Sequence, residues 1–255
     1  LTSCTSYRSR PALKLQTGES AVLVGEEPAS LVFAPRLSKP VRVRNTYRDG
    51  LPQTIHYVPG RDYLLEAAGR IRRTPGSRIP NFGTNLLYGK EDFRHERFPG
   101  YGNMPFFVYV DYAHSEKWKV PPAKPGLGAV QLPHTQHKLR AGQQVRIVAF
   151  GDSITAGGEA SEPGLIFWER WAAVLRARYP RASIETTNGA TGGDTTVQGL
   201  QRLREKVLQQ QPDLVLIGFG MNDHNREGFG VPVEAFAANL RTMIAQIRAE
   251  TGAEI

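Results

Sequence analysis

Just past its middle, the chain carries the stretch Val145-Arg-Ile-Val-Ala-Phe-Gly151-Asp-Ser153-Ile-Thr155. The first six residues form a short, mostly apolar run bounded by a glycine, which is typical of a buried β-strand. In open parallel α/β sheets, functional side chains gather just beyond the carboxyl ends of the strands. The stretch therefore predicts that Ser153 lies at the functional edge of a parallel sheet.

Strands and helices alternate along the rest of the sequence. Two further strand-like runs occupy residues 183–187 and 213–219, and helical patterns cover about 165–179 and 195–209. A third helix is expected to open at Pro232, because proline is favoured at the first position of a helix. This alternation predicts a parallel sheet with right-handed crossovers. The first helix is predicted to place on one face Phe167, Trp168, Trp171 and Leu175.

Polar and glycine-rich turns follow all three predicted strands, so their side chains should meet at one edge of the sheet. The first turn carries Ser153, whose hydroxyl is suited to attack an ester carbonyl. The tetrahedral oxyanion formed by this attack needs two or three fixed hydrogen-bond donors. Three donors are available by position, namely the Ser153 amide, the amide of Gly193 in the second turn and the carboxamide of Asn222 in the third.

The three turns resemble three sequence blocks of the SGNH (GDSL-like) hydrolases. Gly-Asp-Ser-Ile-Thr at 151–155 is similar to the first block, Gly193 to the glycine of the second, and Gly-x-Asn-Asp at 220–223 to the third. The resemblance covers about residues 143–255. It implies a flavodoxin-like three-layer α/β fold and hydrolysis of an acyl ester without a metal or cofactor. It also implies that Ser153 is the nucleophile, and that its amide, the Gly193 amide and the Asn222 side chain bind the oxyanion.

The sequence departs from the family pattern in one respect. Family members carry a catalytic Asp and His together in a fourth block beyond the Asn block, and no Asp-x-x-His occurs between Asn222 and Ile255. We therefore expect the sequence to be an incomplete copy of a longer protein. A serine without its general base is only weakly nucleophilic, so the chain as it stands is expected to be a poor catalyst.

Histidines and aspartates are further candidates for the chemistry. His224 follows Asn222 closely and is expected to contact substrate, orient the loop or face water rather than act as the base. Structural or surface roles are expected for His56, His95, His114, His134 and His137. Helix capping and hydrogen bonding to loop amides are the expected roles of Asp152, Asp194 and Asp223. No histidine pair has the spacing of metal ligands, so a metal site has no support.

Residues 1–140 have the pattern of an all-β, sandwich-like domain. Short runs rich in Val, Leu, Phe and Tyr alternate with Gly, Pro and Asp turns, which is typical of a β-sandwich. Proline and glycine at 121–126 mark a natural break. We therefore predict an accessory domain at 1–140 and an SGNH hydrolase domain at 141–255. The strands predicted in the first domain include residues 21–24, 31–33, 41–43, 62–65, 69–73 and 106–112.

An aromatic cluster lies in the second half of this β region. We predict that it is core with a partly exposed face, and the alternative is a platform on which sugar rings stack. Its members are Phe98, Tyr101, Phe106, Phe107 and Tyr109.

Composition limits the partners of the protein. The net charge of +8 raises the question of nucleic acid, but the basic residues are scattered and no nucleic-acid-binding motif is recognisable. We therefore expect a generally basic surface without a nucleic-acid partner. No run of about 18 apolar residues occurs, so no transmembrane segment is expected.

Cys4 is the single cysteine, which excludes an intrachain disulfide. The sequence Leu1-Thr2-Ser3-Cys4 resembles the end of a bacterial lipoprotein signal, in which the cysteine receives a lipid. A chance match of four common residues is the alternative. On the first interpretation the protein is extracytoplasmic, secreted or held at a membrane through a lipid anchor at Cys4.

The leading hypothesis is a carbohydrate-directed O-acyl esterase, in particular a deacetylase, acting on a small-molecule or polysaccharide ester. It rests on an analogy with acetylxylan-type esterases that carry a β domain ahead of an SGNH domain. A lipid- or thioester-directed hydrolase is a second hypothesis, and a non-catalytic carbohydrate-binding protein that has lost its base is a third. A nucleotide-binding module is disfavoured, because neither Gly-x-Gly-x-x-Gly nor Gly-x-x-x-x-Gly-Lys occurs at these turns.

Overall fold

The computed structural model describes residues 12–91, 93, 97–117, 132–225 and 230–255. Cys4, His95 and the break at 121–126 therefore lie outside the described residues. The chain divides into two compact units, which we call the β unit (Leu1–Tyr88 with Tyr101–Pro122) and the α/β unit (Gly89–Gly100 with Ala123–Ile255). The division into domains at 1–140 and 141–255 stays a prediction.

Seven short strands form the β unit, and they pair in two antiparallel sheets. One sheet has the order β1-β7-β3-β4 and the other the order β2-β6-β5. A single apolar cluster contains buried residues of both sheets. The antiparallel strands that the pattern indicates are present, whereas the sandwich arrangement stays a prediction. The strands are β1 (Lys14–Ala21), β2 (Ala29–Ser30), β3 (Arg42–Arg44), β4 (His56–Tyr57), β5 (Tyr63–Glu66), β6 (Arg70–Arg73) and β7 (Val108–His114).

The residues of the aromatic cluster predicted from the sequence are divided between the two units. Phe98 belongs to the α/β unit, whereas its other members belong to the β unit. Tyr109 on β7 is buried, and its ring packs edge-on against Tyr47 and Phe107 with centroids 5.8 and 6.5 Å away. Tyr109 is thus a core residue, which favours the first of the two interpretations at this position.

The α/β unit is built on three parallel strands, as the alternation of elements predicts. The sheet has the order β10-β8-β9 with β8 in the centre. Its strands are β8 (Gln144–Gly151), β9 (Ser183–Asn188) and β10 (Leu214–Gly218). The helices are α1 (Pro133–Ala141), α2 (Ser153–Ala156), α3 (Phe167–Arg178), α4 (Thr196–Lys206), α5 (Met221–His224) and α6 (Val233–Thr251).

Alternate side chains of β8 build apolar layers on both faces of this sheet. Val148 and Phe150 pack in a cluster with residues of α4 and α6, while Val145 and Ile147 pack in another with residues of α1 and α3. A strand buried on both faces reads as a nearly continuous apolar run, which is why this strand is the easiest element to recognise in the sequence. The flavodoxin-like arrangement of a larger sheet stays a prediction.

Polar contacts fasten α1 to the same unit. The Glu254 carboxylate accepts the backbone N–H groups of His134 and Thr135, both at 2.9 Å, at the open amino end of this helix. Lys138 forms an ion pair with Asp213 at 2.6 Å. In the part of the chain that the structure describes, no helix has the length and apolar character needed to cross a membrane.

Candidate active site

Ser153 is placed by the turn that connects β8 to α2. It is the first residue of this four-residue helix, and Asp152 is the N-cap, whose carboxylate accepts the Ile154 N–H at 3.0 Å. This confirms the predicted capping role of Asp152. The Ser153 side chain is half-buried, and its hydroxyl makes no hydrogen bond with another described residue. The cap fixes the turn and leaves the hydroxyl available.

The space beside Gly151, at the end of β8, is filled by neighbouring atoms. Gly151 and Gly218 are partners in the register of the sheet. A Cβ atom on Gly151 would lie 2.2 Å from the Gly218 oxygen and 2.4 Å from the Thr155 hydroxyl oxygen, so no side chain fits. The Asp152 N–H donates to the same Gly218 oxygen at 3.2 Å. The serine turn is therefore fastened directly to the strand that leads to Asn222.

The loop after β9 lies against the serine turn. Its Thr191 N–H donates to the Gly151 oxygen at 2.9 Å. A Cβ atom on Gly192 would lie 3.8 Å from the Ser153 Cβ, which is ordinary van der Waals contact. Gly193 follows with φ of +82°, a left-handed conformation that favours glycine. The structure thus brings the glycine-rich loop beside the candidate nucleophile.

Asn222 lies in α5, the short helix after β10, and is buried. Its Nδ2 donates one hydrogen bond, to the Asp194 carbonyl oxygen at 2.9 Å. A carboxamide nitrogen carries two hydrogens, and the second is not taken by any residue that the structure describes. The contact joins the third turn to the second and leaves one N–H for a further acceptor.

The two remaining aspartates of the turns also fasten the loops, by different means. Asp223 accepts the N–H of Thr196, the first residue of α4, at 2.9 Å, so it satisfies an amide at a helix amino terminus rather than in a loop. Asp194 instead forms an ion pair with Arg202 on α4. The described residues contain no group of three or more His, Cys, Asp or Glu side chains able to hold an ion.

The carboxyl group of Asp152 has an unusual electrostatic setting. Burial raises its pKa, the amides of Ile154 and Met221 act in the opposite direction, and the nearby Asp223 carboxylate raises it further. The neighbouring amides, rather than a cation, stabilise the ionised form. Asp152 therefore caps the serine turn at some cost in desolvation.

His224 ends α5 and is exposed. It lines a cavity of about 570 Å³ together with Gly220, Val231 and Phe236 among others. No described histidine is hydrogen-bonded to Ser153. The other described histidines have the predicted structural or surface settings: His114 is buried and stacks on Phe33, His56 lies 3.0 Å from Asp49, and His134 and His137 are exposed on α1.

Two residues near the site were missed by the sequence reasoning. Thr196 is fully buried and bonds to Asp223, and Asn239 of α6 bonds to Thr196. Neither stands in a recognisable motif. The one available signal was the aspartate of Gly-x-Asn-Asp, since a buried carboxylate needs donors from elsewhere in the fold.

The sequence is similar to known hydrolases in the same region. Residues 149–255 match the GDSL-like Lipase/Acylhydrolase family. The chain is 34% identical over 112 residues to an arylesterase of Vibrio mimicus, covering 43% of this chain and 52% of that protein. It is 30% identical over 111 residues to the thioesterase 1/protease 1/lysophospholipase L1 of Escherichia coli K12, covering 44% and 49%. The chain thus spans about half the length of these curated relatives.

A solved structure is also similar in part. The crystal structure of a two-domain esterase active on acetylated mannans matches with a TM-score of 0.40 and 26% sequence identity. The match covers 44% of this chain and 29% of that one.

Proposed function

We propose that the protein is a serine ester hydrolase with Ser153 as its nucleophile, because residues 149–255 match the GDSL-like Lipase/Acylhydrolase family. The Ser153 amide, the Gly193 amide and the Asn222 carboxamide bind the oxyanion. The single observation that carries the proposal is the contact between the three turns, with Gly192 against Ser153 and Asn222 bonded to Asp194.

The reaction has two steps. The Ser153 oxygen attacks the ester carbonyl, its proton passes to a general base, and collapse of the tetrahedral oxyanion expels the protonated alcohol and leaves an acyl-enzyme. Water then attacks the acyl-enzyme, which releases the acid and returns the proton to Ser153. By resemblance, the base is the histidine of the fourth family block. No residue of the described chain is assigned this role.

The oxyanion donors are suited to this chemistry because they are fixed before the substrate arrives. One Asn222 hydrogen is already bonded to Asp194, which sets the direction of the other. Preorganised donors cost no rearrangement when charge develops, and removing one lowers kcat about a hundred- to a thousand-fold.

For the substrate, we propose an O-acyl ester of a carbohydrate, with acetate as the acyl group. The β unit ahead of the hydrolase domain supports this choice by analogy only. A lipid- or thioester-directed hydrolase is the second candidate, and the relatedness to the Escherichia coli thioesterase and lysophospholipase favours it. We also propose an extracytoplasmic location with a lipid anchor at Cys4.

The proposed activity is tested by labelling and hydrolysis assays on the full-length protein. We expect a fluorophosphonate probe to label wild type and the Ser183→Ala control, which removes an exposed serine at the start of β9, but not Ser153→Ala. We expect acetylated xylan or mannan to be hydrolysed faster than long-chain acyl thioesters. A wild type that is neither labelled nor active, or a Ser153→Ala variant that keeps its activity, would refute the mechanism. Faster thioester hydrolysis would instead select the second candidate.

A further inference from the structure

A chain of hydrogen bonds connects α6, α4 and α5, and α5 carries the proposed oxyanion donor Asn222. The Asn239 Nδ2 donates to the Thr196 hydroxyl oxygen at 3.0 Å. The Thr196 hydroxyl and backbone N–H both reach the Asp223 Oδ1, at 2.6 and 2.9 Å. Thr196 is fully buried and Asp223 nearly so. The two bonds between Thr196 and Asp223 are therefore shielded from water, in an environment where hydrogen bonds are electrostatically stronger.

The direction of the bonds is fixed by their chemistry. The Asn239 amide nitrogen can only donate, so the Thr196 oxygen is an acceptor in that contact. The hydroxyl hydrogen is then free to point at the Asp223 Oδ1, which accepts it. The other Asp223 oxygen is buried without a hydrogen-bond partner among the described residues. Thr196 thus supplies all the hydrogen bonds that the structure shows for this carboxylate.

The short helix α5 depends on such outside support. It has four residues, and a single helical turn is not stable by itself because its nucleation is costly. Two contacts fasten it to the start of α4, from Asp223 to Thr196 and from Asn222 to the Asp194 carbonyl. Gly193 immediately precedes Asp194. Segment 194–196 therefore holds both proposed donors in place, because Gly193 is joined to it along the chain and α5, which carries Asn222, is hydrogen-bonded to it.

We infer that Thr196 is a positioning residue for the oxyanion donors, and that it acts through Asp223 with the support of Asn239. The inference rests on the proposed function. Removing the hydroxyl would leave Asp223 with one donor and Asn239 without its acceptor. The α5 turn could then shift relative to Gly193. A displacement of about 1 Å at an active site can lower the rate about a hundred-fold.

Thr196→Val removes the hydroxyl and little else, and Thr196→Ser restores it. We expect Thr196→Val to lower kcat about tenfold with little change in KM, because the donors that stabilise the transition state are displaced rather than deleted. A boronic acid that forms a tetrahedral adduct with Ser153 should bind more weakly by a similar factor. Thr196→Ser should recover most of both losses. Asn239→Ala should show a smaller decrease in kcat.

Leu203→Ala is the matched control for stability. Leu203 is buried in the same helix but belongs to the apolar cluster rather than to the hydrogen-bond chain. We expect it to lower the melting temperature at least as much as Thr196→Val while kcat, measured well below that temperature, is unchanged. A role of Thr196 in helix stability alone would make the two variants alike in kcat, which would overturn the inference.

The Asn222 side-chain amide resonance in an NMR spectrum gives a readout that needs no catalysis. We expect it to move in Thr196→Val and to return in Thr196→Ser. If it does not move, the inference is wrong even if the enzyme is active. If it moves while wild type neither hydrolyses esters nor reacts with a fluorophosphonate, the positioning contact stands and the proposed function fails.

Discussion

The two units bury an aspartate in opposite ways. Asp62 in the β unit is fully buried and lies 2.6 Å from the Arg78 guanidinium, with further donors in the amides of Val58 and Arg78. The hydrogen bond from Arg78 holds the pKa of Asp62 well below its usual range. Asp152 in the α/β unit is equally buried, but only amides stabilise its charge, and burial raises its pKa.

The difference in how their charges are stabilised indicates different roles for the two carboxylates. In the β unit a cation and a carboxylate join two segments, and the ionised form is favoured by folding. In the α/β unit the ionised form is disfavoured by folding, and the carboxylate is retained where it shapes the turn that carries Ser153. A change in the first unit should therefore alter stability, and a change in the second should alter rate.

The largest effect is expected for Asn222→Ala. Loss of this proposed oxyanion donor should lower kcat about a hundred- to a thousand-fold, with a loss of stability of only about 1 kcal/mol from the broken bond to Asp194. Asn85→Ala in the β unit is the matched control, because Asn85 is also buried and donates to the Gly102 oxygen at 2.9 Å. Steady-state kinetics and urea unfolding measure both. Equal losses of kcat in the two variants would contradict the expectation that only the change in the α/β unit lowers the rate.

Ile71→Ala should produce the converse result. Ile71 is fully buried in the apolar cluster of the β unit, and truncation of such a side chain costs about 3 kcal/mol. We expect a clear fall in the urea midpoint and an unchanged kcat per folded molecule. A fall in kcat at low temperature, where the variant is still folded, would show that the β unit takes part in catalysis.

The pH dependence of stability should have opposite signs for the two aspartates. Asp62 has a depressed pKa in the folded state, so its contribution is present above the unfolded pKa of about 3.9 and is lost as pH falls. Asp152 has a raised pKa, so its contribution is present below about 3.9 and is lost as pH rises through the folded value. Urea unfolding of wild type, Asp62→Asn and Asp152→Asn between pH 3 and 7 tests this.

The free energy of unfolding of Asp62→Asn should be lower than that of wild type at neutral pH, and the difference should shrink as the pH falls. The free energy of unfolding of Asp152→Asn should instead increase relative to that of wild type as the pH rises. Parallel curves for the two variants would mean that both carboxylates are held in the same way.

The smallest effect is expected for Gly193→Ala. An alanine at φ of +82° is strained by about 1 kcal/mol, but its Cβ meets nothing within 4 Å and the N–H donor is kept. We expect kcat to fall by no more than about tenfold. Gly252→Ala, at φ of +69° in equally open space at the end of α6, is the control for strain. A loss as large as that of Asn222→Ala would show that the Gly193 amide is the dominant donor.

The strands that bring the turns together were readable from the sequence. Runs at 145–150, 183–187 and 213–219 lie within two residues of β8, β9 and β10 at either end, because parallel strands are buried on both faces. The predictions at 21–24 and 31–33 were wrong: β1 ends at Ala21 and β2 at Ser30. Leu23 and Leu31 are buried from irregular backbone, which a local pattern cannot distinguish from a strand.

The same limit applies to α3 and to the site. Phe167 and Trp171 were predicted to share the inner face with Trp168, yet Phe167 is 57% exposed and the buried residues are Trp168 and Ala172. The Trp168 indole N–H donates to the Thr155 oxygen at 2.7 Å, a contact between segments that periodicity does not encode. Ser153, Gly193 and Asn222 were placed by their positions after strands. Thr196 and Asn239 could not be, because their partners come from other elements.

The glycines around Ser153 determine where the recognition of different substrates can be altered. Gly151 tolerates no side chain, since its Cβ would clash with the neighbouring strand. The distance between the serine and asparagine turns is therefore set by the spacing of about 4.8 Å between adjacent strands. A Cβ on Gly192 would be 3.8 Å from Ser153 without a clash. Redesign for larger or smaller acyl groups should therefore begin at Gly192 and leave Gly151 untouched.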